Sequence, residues 1–330
     1  MPLNTIYCPQ TPPAPLLDVA HTPAMMRLKQ VGMNCGCEYT SFPHFAHCGR
    51  YTRWNHGLGV GLVVWHFTGD MAQAVAGLLH DIATPVFAHT IDFLQGDHMK
   101  QDSTEARTAE LIDSSPEIQS ILRNLGLQTA DVADYHRYPL ADNDLPRLSA
   151  DRLEYTCGNL LHYGFLPVEE IARLYGDITP GINELGEPEL TFRTPERALT
   201  FAEGALQCGR VYVCPEDRFA MESLAKLLKM AMSLGVITRT DLWTTEEQVI
   251  DKLTAHPETG EAWANFRKYS RVISRKDRPE AGQWLQVRAK KRYIDPYVLG
   301  RGRVSQRYPR FARMLEEFRQ ASLEDWLLGM

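Results

Sequence analysis

The sequence predicts an all-α fold, with long helices packed around one main core. Three observations carry that expectation. Apolar residues recur at helical spacing through most of the chain beyond residue 57, strand-like runs are few, and there is no βαβ alternation, G-x-G-x-x-G or G-x-x-x-x-G-K-[ST]. At 330 residues the length allows about two domains, yet no internal repeat or low-complexity block divides the chain. A chain of this size buries roughly three quarters of its unfolded surface, so its core needs no disulfide or structural metal.

Five prolines among the first twenty residues (Pro2, Pro9, Pro12, Pro13, Pro15) read as an extended arm. A short helix over 23–31 follows, started by Pro23 and stopped by Gly32. Residues 1–40 are therefore assigned to an arm and a short helix, and 41–235 to the helical core. Within that core His56 opens the helix RWNHGLGVGLVVWHF, and residues 71–82 (MAQAVAGLLHDI) are rich in strong helix formers. Another helix starts behind a Ser103 or Thr104 cap, and Leu148, Leu153, Leu160 and Leu161 mark a further one. Leu224, Leu227, Leu228, Ala231 and Met232 make an apolar stripe. Residues 236–330 form a mostly helical C-terminal extension, in which Thr245 caps a helix with acids in its first turn and 309–328 is amphipathic. The two strand candidates are 209–214 (GRVYVC) and 288–293.

Thirty-five basic against 41 acidic residues give a net charge of −6. That balance argues against general nucleic-acid binding, which needs an excess of Lys and Arg to neutralise phosphates, and leaves room for a small basic pocket. No apolar run approaches the ~20 residues of a membrane span, and no secretory signal pattern is present at the N-terminus. Seven scattered cysteines fit a cytoplasmic, reducing setting. Cys35, Cys37, His44, His47 and Cys48 are zinc-compatible donors, but their spacing is unlike paired C-x2-C knuckles, and ordinary loop or core residues are expected. Near the C-terminus Arg288, Lys290, Lys291, Arg292, Arg301, Arg303, Arg307, Arg310 and Arg313 cluster with tyrosines, which fits either a polyanion site or a solvated face. Homo-oligomerisation stays open.

The eleven histidines hold the chemistry. His56 starts one helix, His80 and Asp81 end another (LLHDI), and Asp151 lies in a third (SADRLEY). Each stands beside apolar neighbours, and a buried carboxylate is costly unless paired or bound to a metal. Two imidazoles and two carboxylates form an N2O2 set suited to one divalent transition ion, Fe, Mn, Co, Ni or Zn. Adjacent helical residues diverge by about 100°, so His80 and Asp81 reach one ion only if it lies between their directions. Arg53, one turn before His56, shares its face. Core hydrogen bonding, and a structural salt bridge for an Arg beside a buried Asp, are the alternatives.

Arg53, His56, Leu58, Gly59 and Val60 (R-x-x-H-x-L-G-V), then L-L-H-D-I with Pro85, Phe87 and His89 (P-x-F-x-H), then S-A-D-R-L-E-Y, resemble the HD superfamily. The branch they look most like is the deoxynucleotide triphosphohydrolase-like one. The likeness runs over about 42–161, with a fainter extension at 227–253. It implies an HD-domain helical core, a metal held by His56, His80, Asp81 and Asp151, and hydrolysis of a phosphate ester or anhydride by a metal-activated water. A small phosphorylated substrate, most readily a nucleotide, follows. The resemblance also places Arg152 and Tyr155 on substrate phosphate and His89 beside the site. His136, in DYHRYP, is a further substrate-facing candidate.

The chain departs from the pattern at Thr84, where the family usually has an acid or histidine, and it lacks a clean counterpart of a further catalytic histidine. Asp102 and Glu105 are the candidate general acids, or a second-metal ligand, or helix caps. Two alternatives to hydrolysis are carried: a di-iron oxygenase, which needs more histidine ligands from among His89, His98 and His136, and a catalytically silent nucleotide sensor.

Overall fold

The helices Arg53–Thr68 and Met71–Leu79 pack against each other at the centre of the core. Their backbones approach closely because glycine stands where they meet. A Cβ on Gly57 would lie 2.9 Å from the Leu78 carbonyl oxygen, and one on Gly61 would lie 2.9 Å from Leu78 Cβ. Glycine inside a helix costs roughly 0.5–1 kcal/mol against alanine. Burial of Leu58, Val60, Leu62 and Val63 together with Ala74, Val75, Leu78 and Leu79 offsets that cost. The first helix begins at Thr52, whose side chain accepts from the Asn55 amide, and ends at Gly69 in the left-handed region at φ 63°. Asp70 then caps the second helix by accepting from the Gln73 amide.

The computed structural model describes residues 3–46, 48–95 and 107–330. These are mostly helical, and the expected stripe 224–232 lies on the helix Pro215–Ser233, with Leu224, Leu227, Leu228 and Ala231 buried. Two small sheets accompany the helices, so the all-α expectation holds only for the bulk of the chain. In one sheet the hairpin Ile178–Ile182 and Pro188–Phe192 is antiparallel, and Phe192 pairs in parallel with Val298. In the other, Trp326–Gly329 lies between Val272–Arg275 and Leu285–Gln286, antiparallel to both.

Both strand candidates are corrected. Residues 209–211 close the long helix Pro195–Val211, in which Cys208, Gly209 and Val211 are buried; the alternating Val211 and Val213 are the misleading signal. Residues 288–293 are irregular, and the strand lies just before them at Leu285–Gln286. The expected C-terminal helix stops at Gln320, and Trp326–Gly329 turns back as a strand. The proline-rich arm is also corrected: it holds the short helices Leu3–Tyr7 and Ala14–Ala20, because Pro13 and Pro15 stand at a helix N-terminus, where a missing amide hydrogen costs nothing.

One apolar cluster joins the N-terminal helices to Phe201, Ile294 and Phe318, and a second joins Cys35, Phe87, Leu224, Trp263 and Leu327. No helix among the described residues is long and apolar enough to cross a membrane.

Two stability predictions follow from this packing. Gly61→Ala gains roughly 1 kcal/mol of helix propensity, but its methyl has no room against Leu78, and overpacking costs about 1–3 kcal/mol. Urea denaturation is expected to show net destabilisation. Arg303 is bonded through two nitrogens to the fully buried Glu189 at 2.7 and 2.8 Å. Arg303→Met strands that carboxylate and is expected to cost about 3–5 kcal/mol in the same measurement, with part recovered in the double variant with Glu189→Gln.

Candidate metal centre

Four expected ligands come from three elements. His56 stands in the first turn of Arg53–Thr68, His80 caps the C-terminus of Met71–Leu79 with Asp81 in the turn that follows, and Asp151 is in the first turn of Ala150–His162. Ser149 starts that last helix, its hydroxyl accepting from the Arg152 amide at 3.3 Å. The fold brings all four side chains together. His56 Nε2 is 3.0 Å from Asp151 Oδ1, and His80 Nε2 is 3.7 Å from that same oxygen. Asp81 Oδ2 is 3.6 Å from His80 Nε2 and 3.9 Å from His56 Nε2.

One ligand atom each from His56, His80 and Asp151 falls within 4.8 Å of the others, the grouping expected of a metal site. Bonds of about 2.0–2.2 Å put neighbouring ligand atoms roughly 3.0–3.5 Å apart, so these side chains fit a small divalent ion. Asp81 stands outside that group: Arg53 Nη1 donates to its Oδ2 at 2.9 Å and Thr84 Oγ1 to its Oδ1 at 2.8 Å. Thr84, the departure from the family pattern, thus holds a carboxylate where the family has an acid or histidine. His89 and His136 also lie outside this group of candidate ligands.

The orientation of the two imidazoles supports this fit. His56 Nδ1 donates to Glu154 Oε2 at 2.6 Å, and His80 Nδ1 donates to the Gly77 carbonyl at 2.7 Å. Both tautomers, assigned from these partners, direct Nε2 to the shared centre, the arrangement that metal-binding histidines adopt. Glu154 is fully buried and also accepts from Tyr51 Oη at 2.5 Å. It reaches His56 because residue 59 is glycine; a Cβ there would stand 2.6 Å from Glu154 Cγ. Sequence reasoning missed Glu154, although its place three residues after Asp151 put it on the same helical face.

The electrostatics are those of closely paired charges. Burial lowers the His56 pKa, but its hydrogen bonds to Asp151 and Glu154 outweigh that and raise it to about 10. Burial alone would raise Asp81 and Asp151; Arg53 and the histidines overcome it for Asp81, and His56 does so for Asp151, holding both well below the usual carboxylate range.

The centre opens into a cavity of about 290 Å³. Arg53, His89, His136, Arg152 and Tyr155 all line it, as expected from the sequence, and so do Asn159, Asp217, Lys290 and Arg292, which were not singled out for the site. Arg152 is also paired with Asp142 at 3.1 Å, and His136 Nδ1 lies 2.9 Å from the other oxygen of that carboxylate. Arg53 keeps a buried Nε with no hydrogen-bond partner among the described residues. His89 is set by a turn in which Phe87 and Ala88 take left-handed φ values of 57° and 43°, a conformation costing of order 1–3 kcal/mol per residue. Its Nδ1 is 3.0 Å from Asp92 Oδ2, and burial depresses its pKa. Asp102, Glu105 and His98 lie outside the described residues. The zinc-compatible group does not gather: Cys37 Sγ points to Asp217 and Cys48 Sγ to the His44 carbonyl, while His47 is outside the described residues.

No family model matches the chain. Over 205 residues it is 28% identical to the uncharacterized protein YdhJ of Bacillus subtilis, covering 62% of this chain and 61% of that protein's length. Over 264 residues it is 24% identical to the metal-dependent phosphohydrolase cns2 of Cordyceps militaris, covering 77% of this chain and 72% of that one. In three dimensions it is similar to a phosphohydrolase of Bacteroides thetaiotaomicron, with a TM-score of 0.64 and 14% identity over 97% of this chain and 96% of the other. At that identity the likeness is one of fold, and it extends over nearly the whole chain.

Proposed function

We propose that this protein is a metal-dependent phosphohydrolase of the HD type acting on a small phosphorylated substrate, a nucleotide by preference. One observation carries the reading: two buried imidazoles, each anchored through Nδ1, turn Nε2 toward Asp151 and Asp81 in a cavity lined by arginine. The resemblance of the motifs to HD enzymes, and the likeness to the metal-dependent phosphohydrolase of Cordyceps militaris and in fold to the Bacteroides phosphohydrolase, support it.

His56, His80, Asp81 and Asp151 would hold the ion. A divalent metal there supplies Lewis acidity toward a phosphoryl oxygen and an acidified water. Arg53, whose Nε is buried with no hydrogen-bond partner among the described residues, and Arg152 line the cavity and would donate to non-bridging phosphate oxygens. Lys290 and Arg292 add positive charge to the same cavity. His89, with its pKa lowered by burial, is neutral near pH 7; a proton on Nδ1 toward Asp92 leaves Nε2 to accept one. Tyr155 and His136 are assigned to the substrate wall, and Asp102 or Glu105 to the proton given to the leaving group.

The test is phosphate release from a nucleotide panel by protein loaded with Mn or Fe. His80→Ala and Asp151→Ala are each expected to lose at least about a hundredfold in kcat/KM. No turnover with any metal, from protein shown to carry one ion per chain, would overturn the proposal. Glu154→Gln tests the anchoring of His56 separately. It is expected to weaken metal affinity about 10–100-fold, read by competition with a chelator.

A further inference from the structure

The cavity carries two kinds of polar lining, and the hydrolysis outlined above uses only one of them. Arg53, Arg152, Lys290 and Arg292 suit an anion. Asp217 and Asn159 line the same cavity and are hydrogen-bond acceptors of a different character. Asp217, in the first turn of Pro215–Ser233, is 8% exposed; its Oδ1 accepts from Cys37 Sγ at 3.8 Å, while Oδ2 is buried without a hydrogen-bond partner among the described residues. Asn159, two turns beyond Asp151 on its helix, is 6% exposed; Nδ2 donates to Tyr212 Oη at 2.7 Å, while Oδ1 is likewise buried and unpartnered.

Leaving a buried acceptor without a donor costs about 1–3 kcal/mol, and folded proteins rarely do so without a reason. Asp217 and Asn159 both line one cavity, and a ligand there that brings the donors is such a reason. Burial pushes the Asp217 carboxyl up to about 8, and a ligand donor at Oδ2 would favour its ionised, accepting form. The cavity volume of about 290 Å³ is at the small end of the ~300–1,000 Å³ typical of small-molecule sites. It accommodates one phosphate and one compact polar moiety.

We infer that the substrate is a phosphate monoester whose alcohol portion carries amino or hydroxyl donors, and that Asp217, with Asn159 beside it, is the residue that selects for them. The inference rests on the phosphohydrolase reading for its anionic end and on the two orphan acceptors for the rest. The donors could belong to a nucleobase or to a sugar, so the test includes both.

Metal-loaded wild-type protein and Asp217→Asn are assayed, and titrated by calorimetry, with adenosine monophosphate, purine riboside monophosphate (which lacks the amino group), glucose 6-phosphate and phenyl phosphate. The variant is expected to lose at least about tenfold more in kcat/KM and in affinity for the preferred donor-bearing ester than for phenyl phosphate. Its ligand-free melting temperature should stay close to that of the wild type, since the amide is isosteric with the carboxyl and leaves one polar atom unpartnered as before. Asn159→Leu, the second variant, should shift the same ratio. Equal losses on all four esters, or a fall in melting temperature that tracks them, would overturn the inference and leave Asp217 a structural residue. Turnover without discrimination sinks the inference and spares the hydrolase reading. Discriminating affinity without turnover does the reverse.

Discussion

The centre of this protein depends on three carboxylates, Asp81, Asp151 and Glu154, gathered around two imidazoles inside a helical core. Arg53 pairs directly with Asp81, and Asp151 and Glu154 hold the His56 imidazole at about 10 despite its burial. Buried charge of one sign is too costly to persist without a partner. The surrounding structure can therefore be read as the means of holding that charge in place.

The helix crossings perform this task. Gly57 and Gly61 bring the His56 helix against the helix that ends at His80, and Gly59 opens the facing side to Glu154. The Gly77 carbonyl fixes His80, Glu154 fixes His56, and Thr84 with Arg53 fixes Asp81. The constraints on the two imidazoles come from a helix terminus and a packed helix face, while Thr84 belongs to the turn that follows Met71–Leu79. The Nε2 atoms are thus set by the core itself and do not depend on a loop. The left-handed turn at Phe87 and Ala88 extends the same logic to His89, and the Phe87 amide is held there by Glu246 at 3.1 Å.

The long helices were legible from helical periodicity and caps such as Thr245, whereas His56, His80, Asp81 and Asp151 were singled out as a set through the resemblance of their motifs to the HD superfamily. Glu154 was hidden because a second carboxylate on a helix face has no periodic signal of its own; only the neighbouring Gly59 shows that it is turned inward. The small sheets were missed for another reason. Phe192 pairs with Val298, and Val272–Arg275 with Trp326–Gly329, across long sequence separations and in runs of two to five residues. Helix period in 209–211 overrode the β propensity of valine, as packing commonly does.

The basic C-terminal cluster shows most clearly how much tertiary structure adds. On the sequence it could be one anion site or one solvated face, and the structure divides it into separate fates. Arg303 is buried against Glu189, Arg288 pairs with Glu324 at the surface, and Lys291 bonds the carbonyls of Arg319 and Ala321. Lys290 and Arg292, either side of Lys291, line the cavity instead. They are delivered there by an irregular segment tied down on both sides, with Arg218 donating to the Val287 carbonyl and the Asp295 amide donating to the Pro146 carbonyl. Lys290 and Arg292 reach the cavity while Lys291 turns away to the Arg319 and Ala321 carbonyls, the alternation that extended backbone gives even without strand pairing. A net acidic chain thereby brings positive charge from its C-terminal part to a site built by residues from its first half.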